Sequence, residues 1–531
     1  MTSTVKKPKS APSLAGITQL LLALVFVAMV FIPLIRMFSH MDADSIRRVV
    51  SSPVFVQAVL NSLVSALIGT LITVTIAFLL AMCIERTNIR LKGLFSIIFV
   101  LPMLLPSISH GMGLVILLGN NGLLTRFLGL QGSIYGLQGI VAGSVLYAFP
   151  VAYLMLSDVL HYEDGSAYEA ARVLGIGKFR QFTAITLPFL RKPLISVVFA
   201  IFTLIITDYG VPLMVGGKYT TIATVMYQEV IGQLDFGKGA VYGTVLLIPA
   251  VIAFVVDVLN KDRGNSGFVT KRCEVSHNKL VCAASYSWCT LISVLTLLPL
   301  AAFVVLAFTT DYPNDLTFTL ANVAKAFKLR AGEYYLNSVL IALCTAVLGV
   351  SISFLTAYLS ARTKTRISRF LHLSSMTSAA IPGMVLGLSY VLVFNKTPIY
   401  GTIIVLILVN MVHFIASPYL MIYNSLSKIN ENLDGVAHTL DIRRLLLIRD
   451  VLIPQCKYTL LEMGSYFFVN CMMTISAVSF LSTTRNKPVS LMINQFEAQM
   501  QLECAAVISL MILLTNLLIK GVVHVLKKKH R

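Results

Sequence analysis

Residues 61–90 read NSLVSALIGTLITVTIAFLLAMCIERTNIR, and residues 337–366 read NSVLIALCTAVLGVSISFLTAYLSARTKTR. The two stretches align without a gap at an offset of 276. Twelve of thirty positions are identical, including the leading Asn-Ser and the closing Arg-Thr-x-x-Arg. The same offset pairs Pro106 with Pro382 and Gly111 with Gly387. At a slightly shorter offset, Ile134-Tyr135-Gly136 matches Ile399-Tyr400-Gly401, and Tyr153-Leu154-Met155 matches Tyr419-Leu420-Met421. Two unrelated apolar helices would share hydrophobicity, but would not keep loop residues and prolines in common. The chain therefore reads as one membrane unit written twice.

Composition agrees with that reading. Of 531 residues, 57% are hydrophobic and only 12% are charged, and apolar runs near the length of a bilayer span recur throughout. Twelve spans are expected, at roughly 14–36, 57–83, 93–118, 136–158, 192–208, 239–259, 281–308, 336–360, 371–394, 399–424, 458–481 and 503–524. The net charge of +19 does not point to nucleic acid, because the basic residues fall mostly in short loops between spans. Counted by alternate loops, 30 of the 42 lie on one side. By the positive-inside rule that side is cytoplasmic, with both termini. Lys6, Lys7 and Lys9 precede an apolar run of signal-peptide type, but residues 14–35 are long enough to span, so an uncleaved first helix is expected. Eight scattered cysteines give neither a disulfide framework nor a metal-ligand spacing.

Six spans per half is an even number, so the halves share one orientation and are expected to relate by a pseudo-two-fold axis along the membrane normal. The fold class is an all-α integral membrane protein of two parallel six-helix repeats. The first half is expected at 1–259 and the second at 280–531. Between them, residues 260–279 (NKDRGNSGFVTKRCEVSHNK) have the composition of a flexible cytoplasmic tether.

Residues 169–188, EAARVLGIGKFRQFTAITLP, form an island of charge between the fourth and fifth spans. Glu169, Ala170 and Ala171 begin a helix that Gly175 breaks. Leu174, Phe179, Phe182 and Ile185 then recur at helical spacing, and Pro188 is placed to open the next long helix. Two alanines permit close approach to a partner, and Gly175 permits a tight turn. The spacing of Glu169, Ala170, Ala171, Gly175, Ile185, Leu187 and Pro188 resembles the EAA loop of binding-protein-dependent ABC importer permeases. In that family the loop is the coupling helix that seats in a cleft of the ATP-binding subunit.

In the second half, residues 435–454 (GVAHTLDIRRLLLIRDVLIP) keep the length, Ala437, Leu440 and Pro454. Gly435 stands in place of the glutamate and Asp441 in place of the glycine, with Asp434, one residue early, as a substitute acid. The expected coupling loops are thus a full one at 160–191 and a degenerate one at 425–457, the first being the stronger.

Two permease halves in one chain look like the iron(III), thiamine and 2-aminoethylphosphonate importer permeases. Asp208-Tyr209-Gly210-Val211-Pro212 resembles the outer gate of that group, and residues 476–481 (SAVSFL) resemble its iron and aminoethylphosphonate members. The resemblance implies a bacterial inner-membrane permease that is not itself an enzyme. It implies an extracytoplasmic binding protein docking near 208–238 and 481–501, and an ATPase homodimer below that binds the ATP and Mg. This chain has no G-x-x-x-x-G-K-[ST] stretch and is expected to bind no cofactor. Iron(III) or 2-aminoethylphosphonate is the substrate lean. The alternative class is an ion-coupled secondary transporter with two six-helix repeats, which would need coupling carboxylates near the midplane.

Other polar residues within spans are His110, Asn410, His413, Glu462 and Asn470, read chiefly as interhelical hydrogen-bonding groups. Glu462, near the cytoplasmic start of the eleventh span, is placed to snorkel or to pair with Lys457. Pro106 and Pro382, with Gly111 and Gly387 five residues on, fit either a static kink or a gating hinge.

Overall fold

The computed structural model describes residues 14–129, 131–260, 271, 273–312, 314–363, 365–430 and 432–529. The N-terminal lysines and most of the expected tether lie outside the described residues. In the first half, α1 (Ala15–Phe38), α2 (Pro53–Arg86), α3 (Lys92–Val100), α4 (Ser107–Leu118) and α5 (Leu137–His161) are followed by the short α6 (Ser166–Val173). Then come α7 (Lys178–Ile206), α8 (Gly210–Val215) and α9 (Phe236–Asn260). The second half repeats the order with α10 (Lys279–Ala307), α11 (Ala331–Arg362), α12 (Arg366–Thr377), α13 (Gly383–Phe394), α14 (Ile403–Phe414) and α15 (Ala416–Lys428). It closes with α16 (Asn432–Thr439), α17 (Ile453–Met473) and α18 (Leu502–Lys529). A small antiparallel hairpin, β1 (Thr309–Asp311) and β2 (Asp315–Phe318), follows α10, and an isolated parallel bridge pairs Thr87 with Ser276; the rest of the described regular structure is helical.

Small residues decide how closely the spans approach. Along α2, Ala58, Ser62, Ser65, Gly69, Thr73, Ala77 and Ala81 are buried at spacings of three and four, against α5 with its own Gly143, Ser144, Ala148 and Ala152. Such a stripe lets backbones approach where no hydrophobic drive separates helix from lipid. A Cβ at Gly69 would lie 3.9 Å from Ser144 Cβ and 3.2 Å from Ile205 Cδ1.

Among the described residues, nine helices are long and apolar enough to span, or up to eleven if each of two bent pairs is one span. Twelve were expected, and the shortfall has physical causes. The third span is broken into α3, a 3-10 turn (Leu101–Leu104) and α4, so that it is counted only through Ser107–Leu128, while the apolar helix Lys92–Leu104 before it is too short to count. Its second-half counterpart, α12 and α13, bends by 110°, and α14 and α15 meet at 55°, next to Pro418, whose ring denies the helix an N–H. The eleventh span, α17, ends at Met473 and carries too much polarity to pass as a plain apolar span.

Pro106 and Pro382 were expected mid-helix, and the structure corrects this. Each is the extended N-cap residue at the break, with φ −56°, ψ 147° and φ −57°, ψ 141°. The proline terminates one helix and starts another, and the chain turns there.

The two halves exchange their first helices. α1 packs along α12 and α13 of the second half, with Gln19 Nε2 donating to Thr363 Oγ1 (2.5 Å) and Tyr390 OH to the Met29 carbonyl (2.8 Å). α10 packs along α3 and α4 of the first, where a Cβ at Gly113 would meet Pro299 Cβ at 2.8 Å and Tyr286 OH accepts from Arg90 N (2.6 Å). Each broken helix is thus clasped by a span from the other repeat.

Candidate functional site

A cavity of about 400 Å³ lies between the halves. Both broken helices reach it at their breaks: Pro106 and Ser107 from one half, Pro382 and Gly383 from the other. The turn that follows each long span completes the wall, Thr207 and Asp208 after α7, and Thr474 to Ser476 after α17. From Asp208 the lining runs to Ser196, Ala253 and Asp257, toward the end of the bundle that carries the basic loops.

The other end is shut. Tyr209, 1% exposed, reaches across to Ser479 (2.5 Å between hydroxyls) and stacks on Tyr227 at 5.0 Å, which stacks on Phe480 at 6.3 Å. Asn494 Nδ2 donates to Tyr227 OH (3.1 Å), adding a second bridge between halves. Asp208 accepts from the Val211 amide (3.0 Å), which starts α8. The segment expected to form an outer gate thus meets residues 479 and 480 of the other half across this end of the cavity.

The repeated glycines explain how these turns fit. A Cβ at Gly111 would lie 2.7 Å from Met214 Cβ, and one at Gly387 would lie 2.7 Å from the Ala477 carbonyl. Gly210 and Gly383 are tighter still, at 2.4 Å from Ser107 Oγ and 2.2 Å from Ser476 Oγ. In each half the gate segment rests directly on the broken helix, and only glycine permits it. His110 is hydrogen-bonded, but within its own broken span and not to another one: its Nε2 meets the Pro102 carbonyl at 3.1 Å. His413 and Asn470 instead face the cavity, and the His413 Nδ1 has no hydrogen-bond partner among the described residues. No periodicity distinguishes the two kinds of polar residue, because the distinction depends on what the other half brings opposite. Glu462 pairs with Lys527 and, at 3.9 Å, with Lys520, not with Lys457.

The two loops at the basic end are built alike at an offset of 266. α6 ends at a Gly175 with φ +67°, and α16 ends at an Asp441 with φ +52°. Asp is one of the few side chains that tolerate this left-handed conformation, so the substitution keeps the turn. The same capping bond closes each: Ile176 N to the Ala171 carbonyl (2.9 Å), Ile442 N to the Ala437 carbonyl (2.8 Å). Ala171 and Ala437 are buried, while Ala170 is exposed, so only one motif alanine faces outward.

Pro188 does not open a new helix. Lys178–Ile206 is continuous, and the backbone widens into a π-turn at Phe182–Thr186 just before the proline, with Leu187 N–H donating to the Phe182 carbonyl. Pro454 has the same π-turn ahead of it at Ile448–Leu452, following the short helix Arg444–Leu447. Leu174 and Phe179 are 74% and 80% exposed, and their counterparts Leu440 and Leu445 are 66% and 74% exposed. Ile185 is half-buried and Leu187 exposed.

The arginine that opens the repeated Arg-Thr-x-x-Arg anchors each loop. Arg86 pairs with Glu163 and donates to the Leu160 carbonyl (3.3 Å); Arg362 donates to the equivalent Leu426 carbonyl (3.3 Å) and to Ile429 (3.0 Å). Asp434 pairs at 3.4 Å with Arg362, the arginine that anchors its own loop. Glu169 instead pairs with Lys271, and Arg172 pairs with Glu274 at 2.9 Å. The Glu169 carboxylate holds the Lys271 ammonium above the usual lysine range, and Arg172 holds Glu274 below the usual carboxylate range. Ser276 adds backbone bonds to Arg86 and Asn88 (2.8 and 3.1 Å). The described end of the expected tether is thus laid against the first loop, a contact between segments about a hundred residues apart that no local pattern signals.

Comparison with known proteins matches both repeats. The family profile of the "binding-protein-dependent transport system inner membrane component" fits residues 73–261 and again 349–531, with starting points again 276 apart. The chain is 28% identical over 492 residues to the ferric transport system permease protein FbpB of Actinobacillus pleuropneumoniae, covering 87% of this chain and 71% of that protein. It is 26% identical over 309 residues to the thiamine transport system permease protein ThiP of Brucella suis, covering 56% of this chain and 55% of that one. A solved chain of a bacterial alginate ABC transporter aligns with TM-score 0.38 at 17% identity, over 46% of this chain and 91% of that chain. The chain belongs, in both of its halves, to the family of binding-protein-dependent transport system inner membrane components.

Proposed function

We propose that this chain is the permease of an ATP-driven importer, with both membrane halves in one polypeptide and iron(III) as the solute. The observation that carries the reading is the double family match, one in each structural repeat. The ferric transport permease relative, alignable over 87% of the chain, supports iron(III).

In this reading the basic end is cytoplasmic, as loop charge argues. An extracytoplasmic binding protein delivers the solute above Tyr209 and Ser479. An ATPase homodimer, holding ATP and Mg, grips the two loops from below. Closure of that dimer draws α6 and α16 together. Because α7 and α17 are continuous with those loops, the motion reaches the gate segments at their far ends and parts the Tyr209–Ser479 bridge. Two rigid halves alternating about one cavity need only a bias between states, supplied by differential binding of ATP. Glu169, Ala170, Ala171, Gly175, Ile185, Leu187 and Pro188 form the first coupling loop, and Ala437, Asp441 and Pro454 the second. Pro106, Gly111, Pro382 and Gly387 form the bearing on which the gate segments rest.

The test is reconstitution with the ATPase and binding protein in proteoliposomes. Iron(III) uptake that requires both partners and hydrolysable ATP is expected. Uptake driven by an ion gradient without the ATPase refutes the reading.

A further inference from the structure

The cavity wall carries a charge pattern that selects among solutes. Its charged side chains are Asp208 and Asp257, and neither Lys nor Arg contributes to it among the described residues. The phosphonate group of 2-aminoethylphosphonate, whose negative charge outweighs the single ammonium, would meet like charge there with no cationic donor in a medium of low dielectric. A cation meets the opposite.

The second observation is His413. Its Nδ1 is buried at the wall without a hydrogen-bond partner among the described residues, and a buried polar atom left unpaired is destabilising. The ring sits against Gly383, where a Cβ would approach Nε2 to 3.1 Å. The space for the ring is thus part of the design at the break.

No group of three or more His, Cys, Asp or Glu with metal-holding geometry occurs among the described residues. That excludes a closed coordination cage there, and the size of the space offers an alternative. A cavity of about 400 Å³ holds on the order of ten waters, enough for an ion with its first hydration shell. A pathway must also bind weakly enough to release.

Resting on the importer reading above, we infer that this cavity is a transit site for a hydrated cation, with Asp208 supplying charge beneath the gate and the His413 ring a hydrogen bond to the ion's water shell. Asp208 is the better probe, because Asn retains an acceptor for the Val211 amide while removing the charge.

The experiment uses the reconstituted complex with iron(III) presented on the binding protein, and reads iron moved per ATP hydrolysed. Asp208→Asn is expected to lower that ratio at least tenfold, Asp208→Glu to restore most of it, and His413→Gln to lower it severalfold. Purified complexes are first compared in thermal unfolding, so that a misfolded variant is recognised and the His413 variant carries the test. Unchanged ratios in both Asp208→Asn and His413→Gln, while the unaltered chain imports iron(III), overturn the inference alone. ATP-dependent uptake of 2-aminoethylphosphonate instead of iron(III) overturns the cation site and leaves the importer architecture standing. Uptake without the ATPase overturns both.

Discussion

Truncating Phe179 and Leu445 to alanine tests how the two loops grip their partner. The residues occupy the same place in each loop, just past the left-handed turn, and are 80% and 74% exposed. An exposed side chain contributes little to folding, so both variants are expected to unfold like the parent. Seated in a partner's cleft, each would remove on the order of 100 Å² of apolar surface from water, worth about 2–3 kcal/mol at roughly 25 cal/mol per Å². Anchors of this kind dominate interface energy. At about 1.4 kcal/mol per tenfold, each truncation weakens ATPase binding by about 30- to 140-fold. The assay is titration of the purified ATPase onto the tagged chain in lipid nanodiscs. The sequence pattern alone favours the first loop, since the second lacks the glutamate. The shared turn, capping bond and apolar tips argue for a nearly equal grip. Loss at Phe179 with none at Leu445 refutes the equal grip, and a change below about threefold at both refutes the docking face itself. Glu169→Ala, which frees a solvated ion pair with Lys271, is expected to cost less than either truncation.

Gly175→Ala forces a Cβ into φ +67° and is expected to destabilise the first loop by about 1–2 kcal/mol, whereas Asp441→Gly at φ +52° leaves the second unharmed; limited proteolysis of the two loops reads the difference. Tyr209→Phe removes the hydroxyl bridge to Ser479 without changing the ring stack on Tyr227. It is expected to raise ATP hydrolysis in the absence of the binding protein severalfold, and an unchanged rate would show that stacking alone holds the gate shut.

Much of this architecture was legible without coordinates. Repetition at an offset of 276 gave two halves of one orientation, and the left-handed turn at Gly175 followed from the residue alone. Other assignments moved. Asp441, read as a departure, preserves the turn, and Asp434, read as a substitute acid, is held by Arg362. Pro106 and Pro382, read as kinks or hinges within spans, sit at the ends of broken helices.

The sequence by itself determined what is local and periodic: apolar runs of spanning length, basic loops on one side, the duplicated unit, and the loop with its glycine. These depend on residues close in the chain and on the solvent, water or lipid, that they prefer. Only the tertiary structure decided what meets across hundreds of residues. It set the exchange of α1 and α10 between halves and the seating of Gly210 and Gly383 on their hydroxyl neighbours. It also placed His413 and Asn470 at a cavity instead of in a helix contact. A polar side chain in an apolar span must find a partner or water, and which of these it finds is fixed by the helix on the other side.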